Sequence, residues 1–182
     1  MPMFAPNPNA MRGLAAATVV AIGIATPFIS GWEGEDLVAK QNSFDPKGVI
    51  TACNGITNYD LPGLKKGMKF THDECAQLLH DHIPKYAIPI DKCVKVEISN
   101  YTRAALYSAS YNLGPGTVCK SSMVRKINAG DLQGGCDAFM LYITAKNVHG
   151  KRVVLKGLVN RRTAERKLCL QKDPTPTEVA KR

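Results

Sequence analysis

The sequence lacks the cysteine and histidine patterns that hold a structural metal ion. It has no CxxC motif and no cluster of cysteine and histidine at zinc-finger spacing, so a structural zinc site is not expected. His80 and His82 flank Asp81, but alternate residues of a helix point apart, which favours a solvated face over a metal site. Internal repeats and low-complexity blocks are also absent, and the length suits one globular domain.

Acidic residues are few compared with basic ones. The chain has 15 Asp and Glu against 24 Lys and Arg, which gives a formal net charge of +9. A basic surface suits nucleic acid, anionic lipid or bacterial cell wall, although a soluble surface with no special partner fits this composition equally well. The basic cluster Arg161, Arg162, Arg166 and Lys167 has no accompanying aromatic platform for stacked bases, so we expect no nucleic-acid partner.

Charged side chains are absent from residues 13–32 (GLAAATVVAIGIATPFISGW), a stretch long enough to span a bilayer. Ala, Gly and Thr dilute its Val and Ile, so its insertion into lipid should be marginal. Arg12 precedes the segment and Glu33 and Asp36 follow it, which leaves the N-terminus in the cytoplasm and the remainder outside. Three interpretations stay open: a signal peptide cleaved near residues 23–25, a stable anchor, or an anchor weak enough to leave the membrane.

The cysteines are even in number and spread over the part of the chain that follows this segment. Behind an export segment such cysteines indicate disulfides, whereas in a cytosolic protein they would be buried free thiols. The sequence does not select a pairing among them. The cysteines are Cys53, Cys75, Cys93, Cys119, Cys136 and Cys169.

Turn-forming residues dominate positions 35–62, with short β-type runs such as residues 49–53 between them, which predicts a small twisted sheet or hairpin. Thr71 and Glu74 have the spacing of a capping box and predict a helix start. A small β lobe followed by mostly helix belongs to the α+β class.

The predicted helices cover residues 73–82, 99–113, 119–129, 136–144 and 158–170. The predicted division is a disordered N-terminus at 1–10, a weak transmembrane segment at 11–32, a domain at 33–171 and a flexible tail at 172–182.

Three residues that follow the apolar segment could act together to cleave a glycosidic bond. This chemistry needs a carboxylic acid on one side of the scissile oxygen and a carboxylate on the other. Glu33, at the end of the apolar helix, is the candidate acid, and Asp45 heads a D-P-K-G turn that should stay solvated and ionised. Thr51 lies six residues after Asp45, on the strand that follows.

The motifs around these residues resemble the phage lysozymes of glycoside hydrolase family 24. That family has an E-G pair at the end of its first helix, then D-x-x-G-x-x-T on a hairpin and then G-x-T, which correspond here to residues 33–34, 45–51 and 55–57. Further blocks follow in the same order, namely T-x-x-E-C at 71–75, Y-N-x-G at 111–114, C-x-S at 119–121, R-K-x-N-A-G-D at 125–131 and G-L-x-x-R-R-x-x-E-R-x-L-C at 157–169. The resemblance covers roughly residues 28–171.

The resemblance implies a lysozyme-like fold and a muramidase that cuts between N-acetylmuramic acid and N-acetylglucosamine in peptidoglycan. Glu33 would protonate the leaving oxygen, and Asp45 and Thr51 would hold and activate water, as in an inverting enzyme. No metal and no organic cofactor are expected, and the protein should be a monomer. Residues 13–32 resemble the signal-anchor-release segment of some phage endolysins, which wait at the host inner membrane and act in the periplasm after release. The segment contains no cysteine, which favours activation by refolding onto the domain over disulfide exchange.

One departure from the family pattern concerns the second acid. The usual spacing places it at position 42, which is Asn42 here, whereas Asp45 keeps the family's spacing to Thr51. A three-residue insertion before Asp45 is the simplest explanation, and Asn42 as the site residue is the alternative. Two alternatives to a muramidase also fit the sequence. One is a lytic transglycosylase, which needs no water-activating Asp, and the other is a membrane-tethered wall-binding protein without catalysis.

Overall fold

The computed structural model describes residues 11–41, 46–146 and 150–174. Helices predominate in these ranges and the strands form two small antiparallel sheets, so the predicted α+β class is confirmed. The helices are α1 (Ala16–Glu33), α2 (His72–His82), α3 (Pro84–Cys93), α4 (Asn100–Leu113), α5 (Pro115–Cys119), α6 (Ser122–Asn128), α7 (Leu132–Asp137) and α8 (Lys156–Cys169), with a 3-10 turn at Ala138–Leu141. The strands are β1 (Asp36–Lys40), β2 (Thr51–Cys53), β3 (Ile56–Thr57), β4 (Thr144–Lys146) and β5 (Arg152–Val154).

The first sheet follows α1 directly and has the antiparallel order β1-β2-β3. Asp36 of β1 lies opposite Cys53 of β2, and a tight turn at Asn54 and Gly55 leads into β3. Gly55 has a φ of 94°, in the left-handed region that glycine adopts without steric cost. The sheet covers a small core of its own. That core consists of Ala39, Ala52, Cys53, Ile56, Leu64, Phe70 and Cys75.

The larger lobe is built around α4, which contacts α1, α3, α5 and α8. The hydroxyl of Ser99 accepts a hydrogen bond from the Thr102 amide (3.0 Å), so Ser99 caps the start of α4. Gly114, with a φ of 83°, ends the helix and allows the chain to turn into α5. The buried residues of α4 are Thr102, Ala104, Ala105, Leu106, Tyr107, Ser108, Ala109 and Ser110.

Helix α1 lies across the larger lobe and buries one of its faces. It packs mainly on α4 and also contacts α2 and α3. The buried residues follow a helical spacing and are Thr18, Ala21, Ile22, Ala25 and Ile29. The opposite face, with Val19 and Val20, is exposed. In the part of the chain that the structure describes, α1 is the one helix long and apolar enough to cross a membrane.

All six cysteines form disulfides, which confirms the expectation from their number and spread. The pairs are Cys53–Cys75, Cys93–Cys119 and Cys136–Cys169. The first joins β2 to α2 and so connects the sheet to the helical lobe, the second joins α3 to α5, and the third joins α7 to α8. Each bridge closes a loop of the unfolded chain and therefore lowers its conformational entropy.

Two predicted helices are wrong in their bounds. The helix expected over 119–129 is split, because the hydroxyl of Ser121 accepts a hydrogen bond from the Val124 amide and caps α6, while α5 ends at Cys119. The helix expected over 136–144 ends earlier: α7 stops at Asp137, and after the 3-10 turn β4 begins at Thr144, because this strand pairs with β5. The β4–β5 hairpin was not expected.

The helix predicted over 73–82 is confirmed with its capping box, and Pro84 follows its end as expected. Pro84 also begins α3, since proline lacks only an amide hydrogen that the first turn of a helix does not use. The helices predicted over 99–113 and 158–170 correspond to α4 and α8. The predictions of a disordered N-terminus at 1–10 and of a flexible tail at 172–182 fall on residues that are not described, apart from 172–174, and the division at residues 32 and 33 stays a prediction.

Candidate active site

Glu33 is the last residue of α1 and lies where the helical lobe meets the first sheet. Gly34, with a φ of 69°, turns the chain from the helix into β1. The Nη1 atom of Arg161, from α8, donates to the Glu33 Oε1 atom at 2.6 Å. Of the Glu33 side chain 22% remains exposed. The carboxyl group is therefore held in one place by a buried arginine and is still open to a ligand.

Asn54 fastens the end of α1 to the turn of the sheet. Its Nδ2 atom donates to the Gly34 carbonyl (2.9 Å) and to the Ser30 hydroxyl (3.2 Å), and its side chain is fully buried. The Tyr111 hydroxyl, from α4, donates to the Asn54 carbonyl (2.9 Å). These bonds connect α1, the β2–β3 turn and α4 directly beside Glu33. The position of Glu33 therefore depends on α1 lying against the domain.

Arg161 is itself fixed by a buried carboxylate. Glu165, one turn further along α8, has no exposed surface and accepts from Arg161 Nε (3.2 Å) and from the Ser108 hydroxyl (2.7 Å). The other Glu165 oxygen lies 2.9 Å from Arg162 Nε, and Arg162 Nη2 donates to Asn112 Oδ1 (3.0 Å). Buried charges persist when they are paired, and Glu165 is paired with both arginines. The network makes Arg161 a rigid support for Glu33.

Thr51 begins β2 and lies opposite Lys40 of β1 and Thr57 of β3. It is half-buried, and it stands three residues before Asn54, which binds the Glu33–Gly34 junction. Thr51 therefore lies on the strand that leads into the turn holding this junction, and its role in the site stays a prediction. Asp45 and Asn42 lie outside the described residues, so the choice between them stays a prediction.

An aromatic cluster beside this junction was not among the predicted site residues. Tyr86 and Tyr111 have ring centroids 4.7 Å apart, and His82 contacts both edge-on at 5.4 and 6.3 Å. Burial lowers the pKa of His82, although the nearby Asp60 carboxylate opposes the shift. Burial raises the pKa of Tyr111, and the carboxylate of Glu33 adds to this. Tyr111 belongs to the Y-N-x-G block, but nothing in the sequence signals that His82 and Tyr86 join it.

Asp60 holds one edge of this cluster. It accepts from the Thr57 hydroxyl (2.7 Å) and from Lys85 Nζ (2.6 Å). Burial acts to raise the pKa of Asp60, but the hydrogen bonds from Lys85 and Thr57 outweigh it, and the net shift is downward. Asp60 therefore stays ionised and fastens the start of α3 to the end of β3.

Within residues 11–41, 46–146 and 150–174, no group of three or more His, Cys, Asp or Glu is placed to hold a metal ion. His80 Nδ1 lies 3.6 Å from Asp81 Oδ1, and Asp81 also accepts from Gln77 Nε2 (2.8 Å). Asp81 is therefore engaged within its own helix.

A small sheet and a helical lobe that hold one glutamate at their junction define the class of lysozyme-type glycosidases. Residues 30–165 match the family model described as Phage lysozyme. The SAR-endolysin of Bacteriophage PS119 is 39% identical over 160 residues, which cover 86% of this chain and 91% of that protein. The SAR-endolysin of Enterobacteria phage P21 is 37% identical over 168 residues, or 90% of this chain and 97% of that protein. The solved structure of the endolysin from Escherichia coli O157:H7 phage FAHEc1 superposes with a TM-score of 0.69 at 29% identity, covering 88% of this chain and 96% of that one.

The chain belongs to the phage lysozyme family. Its enzyme class is that of a lysozyme, and its relatives are SAR-endolysins, which agrees with the resemblance drawn from its motifs.

Proposed function

We propose that this endolysin hydrolyses the β-1,4 bond between N-acetylmuramic acid and N-acetylglucosamine in bacterial peptidoglycan, with Glu33 as the general acid. One observation carries the assignment of Glu33: it is a partly exposed carboxyl group at the junction of the two lobes, held by Arg161 at 2.6 Å. A general acid must be held within hydrogen-bond reach of the leaving oxygen, and a rigid support provides this.

In this mechanism the Glu33 proton passes to the glycosidic oxygen as the bond to the anomeric carbon breaks. The carboxylate that remains accepts the hydrogen bond of Arg161, whose position the buried Glu165 maintains. Asp45 and Thr51 hold and activate a water molecule on the opposite face of the sugar, so the configuration at the anomeric carbon inverts. This chain's own side chains supply each of these roles, and we assign none to a metal or a cofactor.

We further propose that α1 anchors the protein in the host inner membrane with the domain in the periplasm, and that it packs on the domain after release. In the packed position Thr18 Oγ1 donates to Asp91 Oδ2 (2.6 Å), and Asp91 also accepts from Arg103 (2.5 Å) and the Tyr107 hydroxyl (2.7 Å). While α1 lies in lipid, Glu33 would be separated from both Asn54 and Arg161. The tethered protein would therefore be inactive, and the released one would act as a monomer.

The test replaces Glu33 with Gln, which keeps the shape and removes the proton. We expect clearing of purified peptidoglycan to fall by about three orders of magnitude or more, with an unchanged thermal unfolding midpoint. Full activity of Glu33→Gln would overturn the assignment. Asp45→Asn and Asn42→Ala, assayed in parallel, identify the second site residue. The mass of the products distinguishes hydrolysis from transglycosylation, because a transglycosylase leaves an anhydro-muramic end.

A further inference from the structure

The stretch that contains the β4–β5 hairpin has an unusual charge composition. Residues 138–164 contain no Asp or Glu and six Lys or Arg. Two of these, Arg161 and Arg162, pair with buried Glu165 and belong to the site described above. Lys146, Arg152 and Lys156, in contrast, are exposed. The positive charge of the hairpin therefore faces solvent and plays no part in holding Glu33.

The register of the hairpin places two of these cations side by side. Lys146 lies directly opposite Arg152, and Thr144 lies opposite Val154, so all four residues share one face of the two-stranded sheet. Like charges directly opposite one another destabilise a strand pair. Arg152 Nε donates to the Thr144 hydroxyl (3.1 Å) on the same face, and within the described ranges no carboxylate pairs with Lys146 or Arg152. The fold thus retains a pairing that costs stability.

Large apolar side chains stand exposed next to these cations. Leu141 is 68% exposed, Val154 is 61% exposed and Leu155 is 42% exposed. The Leu155 amide donates to the Ile143 carbonyl (3.0 Å), which holds the end of the hairpin beside the 3-10 turn that carries Leu141. Exposed apolar side chains grouped with cations indicate an interaction site more often than isolated ones do. We call the set of Leu141, Lys146, Arg152, Val154, Leu155 and Lys156 the hairpin surface.

We propose that the hairpin surface docks on a lipid bilayer that carries anionic headgroups. Lys and Arg are attracted to such a bilayer when they lie within a Debye length of it, and aliphatic side chains gain free energy by entering its apolar boundary. A second copy of the chain would bring two basic surfaces together and repel. The cell-wall polymer supplies carboxylates for the cations, but it has no apolar phase that would accept Leu141 and Val154.

This contact is additional to the anchoring proposed for α1 and uses residues remote from it in sequence. One weak membrane signal gives only reversible binding, and stable attachment takes two. A marginal α1 together with the hairpin surface supplies two signals before release. After release the hairpin surface alone gives weak and reversible attachment of the active enzyme.

The experiment measures co-sedimentation of the full chain with vesicles of phosphatidylcholine alone and with vesicles that also contain phosphatidylglycerol. The variant is Lys146→Gln with Arg152→Gln, and the matched control is Lys65→Gln with Lys66→Gln, an exposed pair that removes the same charge from the opposite part of the sequence. Each Lys or Arg near an anionic surface raises the partition coefficient about fivefold, so the hairpin variant, which lacks two, should partition about 30-fold less to the anionic vesicles. The control should keep most of its binding, and neither variant should change binding to phosphatidylcholine alone.

Because the hairpin variant removes a like-charge pair, its thermal unfolding midpoint should stay the same or rise, so lost binding does not reflect unfolding. Leu141→Ser should also weaken binding to the anionic vesicles. Equal losses in the hairpin variant and the control would show that net charge alone drives binding and would overturn the proposal. Unchanged vesicle binding would also overturn it, as would a loss confined to purified peptidoglycan. Clearing of peptidoglycan by the hairpin variant should be normal, which separates this proposal from the catalytic one.

Discussion

Helices α1 and α4 lie against each other, yet their composition and their burial are reversed. α1 contains no charged residue before Glu33 and exposes one long face, including Val19 and Val20. α4 carries Thr, Ser, Tyr and Asn side chains and is nevertheless buried along most of its length. Its buried hydroxyl groups find partners inside the protein: the Thr102 hydroxyl donates to the Cys169 carbonyl (2.8 Å) and the Ser108 hydroxyl to Glu165 (2.7 Å).

The hydropathy of a helix and its burial are therefore separate properties. A helix that must remain in the core can contain polar residues, provided that each finds a partner. A helix whose outer face is more apolar than a water-soluble fold requires has a composition suited to a second environment. For α1 the second environment that we propose is the bilayer, and the three predictions below test that comparison.

The largest effect should come from the core of α4. Leu106 is fully buried, and Leu106→Ala should lower the free energy of unfolding by about 2–5 kcal/mol, because it leaves a cavity. The control is Val20→Ala on the exposed face of α1, which should change it by about 0.5 kcal/mol or less. Urea unfolding of both variants measures the contrast. Similar losses in the two would mean that α1 is part of the core on all sides.

The next effect separates the two environments of α1. Gly23 lies near the middle of the apolar segment and is exposed, with open space around the position of a Cβ atom. Gly23→Lys should raise the free energy of membrane insertion by about 3 kcal/mol and leave the packed helix intact. Fractionation of cells should show the protein moving from the membrane to the soluble fraction. Gly23→Leu is the matched control and should increase retention; an unchanged distribution in both would contradict the anchoring proposal.

The smallest effect concerns the polar contact at the start of α1. Thr18→Val removes the hydrogen bond to Asp91 while Arg103 and Tyr107 still bind that carboxylate. The packed form should lose about 1–2 kcal/mol, because the lost bond is to a charged group. Urea unfolding gives the value, and membrane retention should rise because Val is more apolar. A loss below a few tenths of a kcal/mol would mean that apolar contacts alone hold the start of α1.

Much of this fold follows from local signals. The capping residues Thr71 and Ser99 and the stop at Gly114 fix the bounds of α2 and α4, since each of these residues acts on the backbone next to it. The pairing of β4 with β5 and the break at Ser121 could not be predicted in the same way. Short runs with β-branched and apolar residues fit helix and strand alike, and the strand partner, which lies several residues away, decides between them.

The same distinction between local signals and long-range contacts applies to the candidate site. Glu33 could be proposed as a site residue from the motif at the end of α1, because its neighbours in sequence carry the signal. Arg161 belongs to a basic cluster and to the G-L-x-x-R-R block, but neither pattern indicates its contact with Glu33, which arises because α8 folds back across the chain. Asn54 carried no signal, since a buried amide that binds the end of α1 is defined by tertiary packing alone.

Glu33 is the final residue of α1, so the general acid that we propose and the apolar segment are parts of one helix. The buried face of that helix, with Ile22 and Ile29, also completes the hydrophobic core of the larger lobe. Deleting α1 would therefore remove a core helix together with the segment that we propose as the anchor, and the enzyme cannot be made more soluble in this way. A more soluble enzyme requires polar substitutions on the exposed face of α1, with the length and the buried face of the helix unchanged.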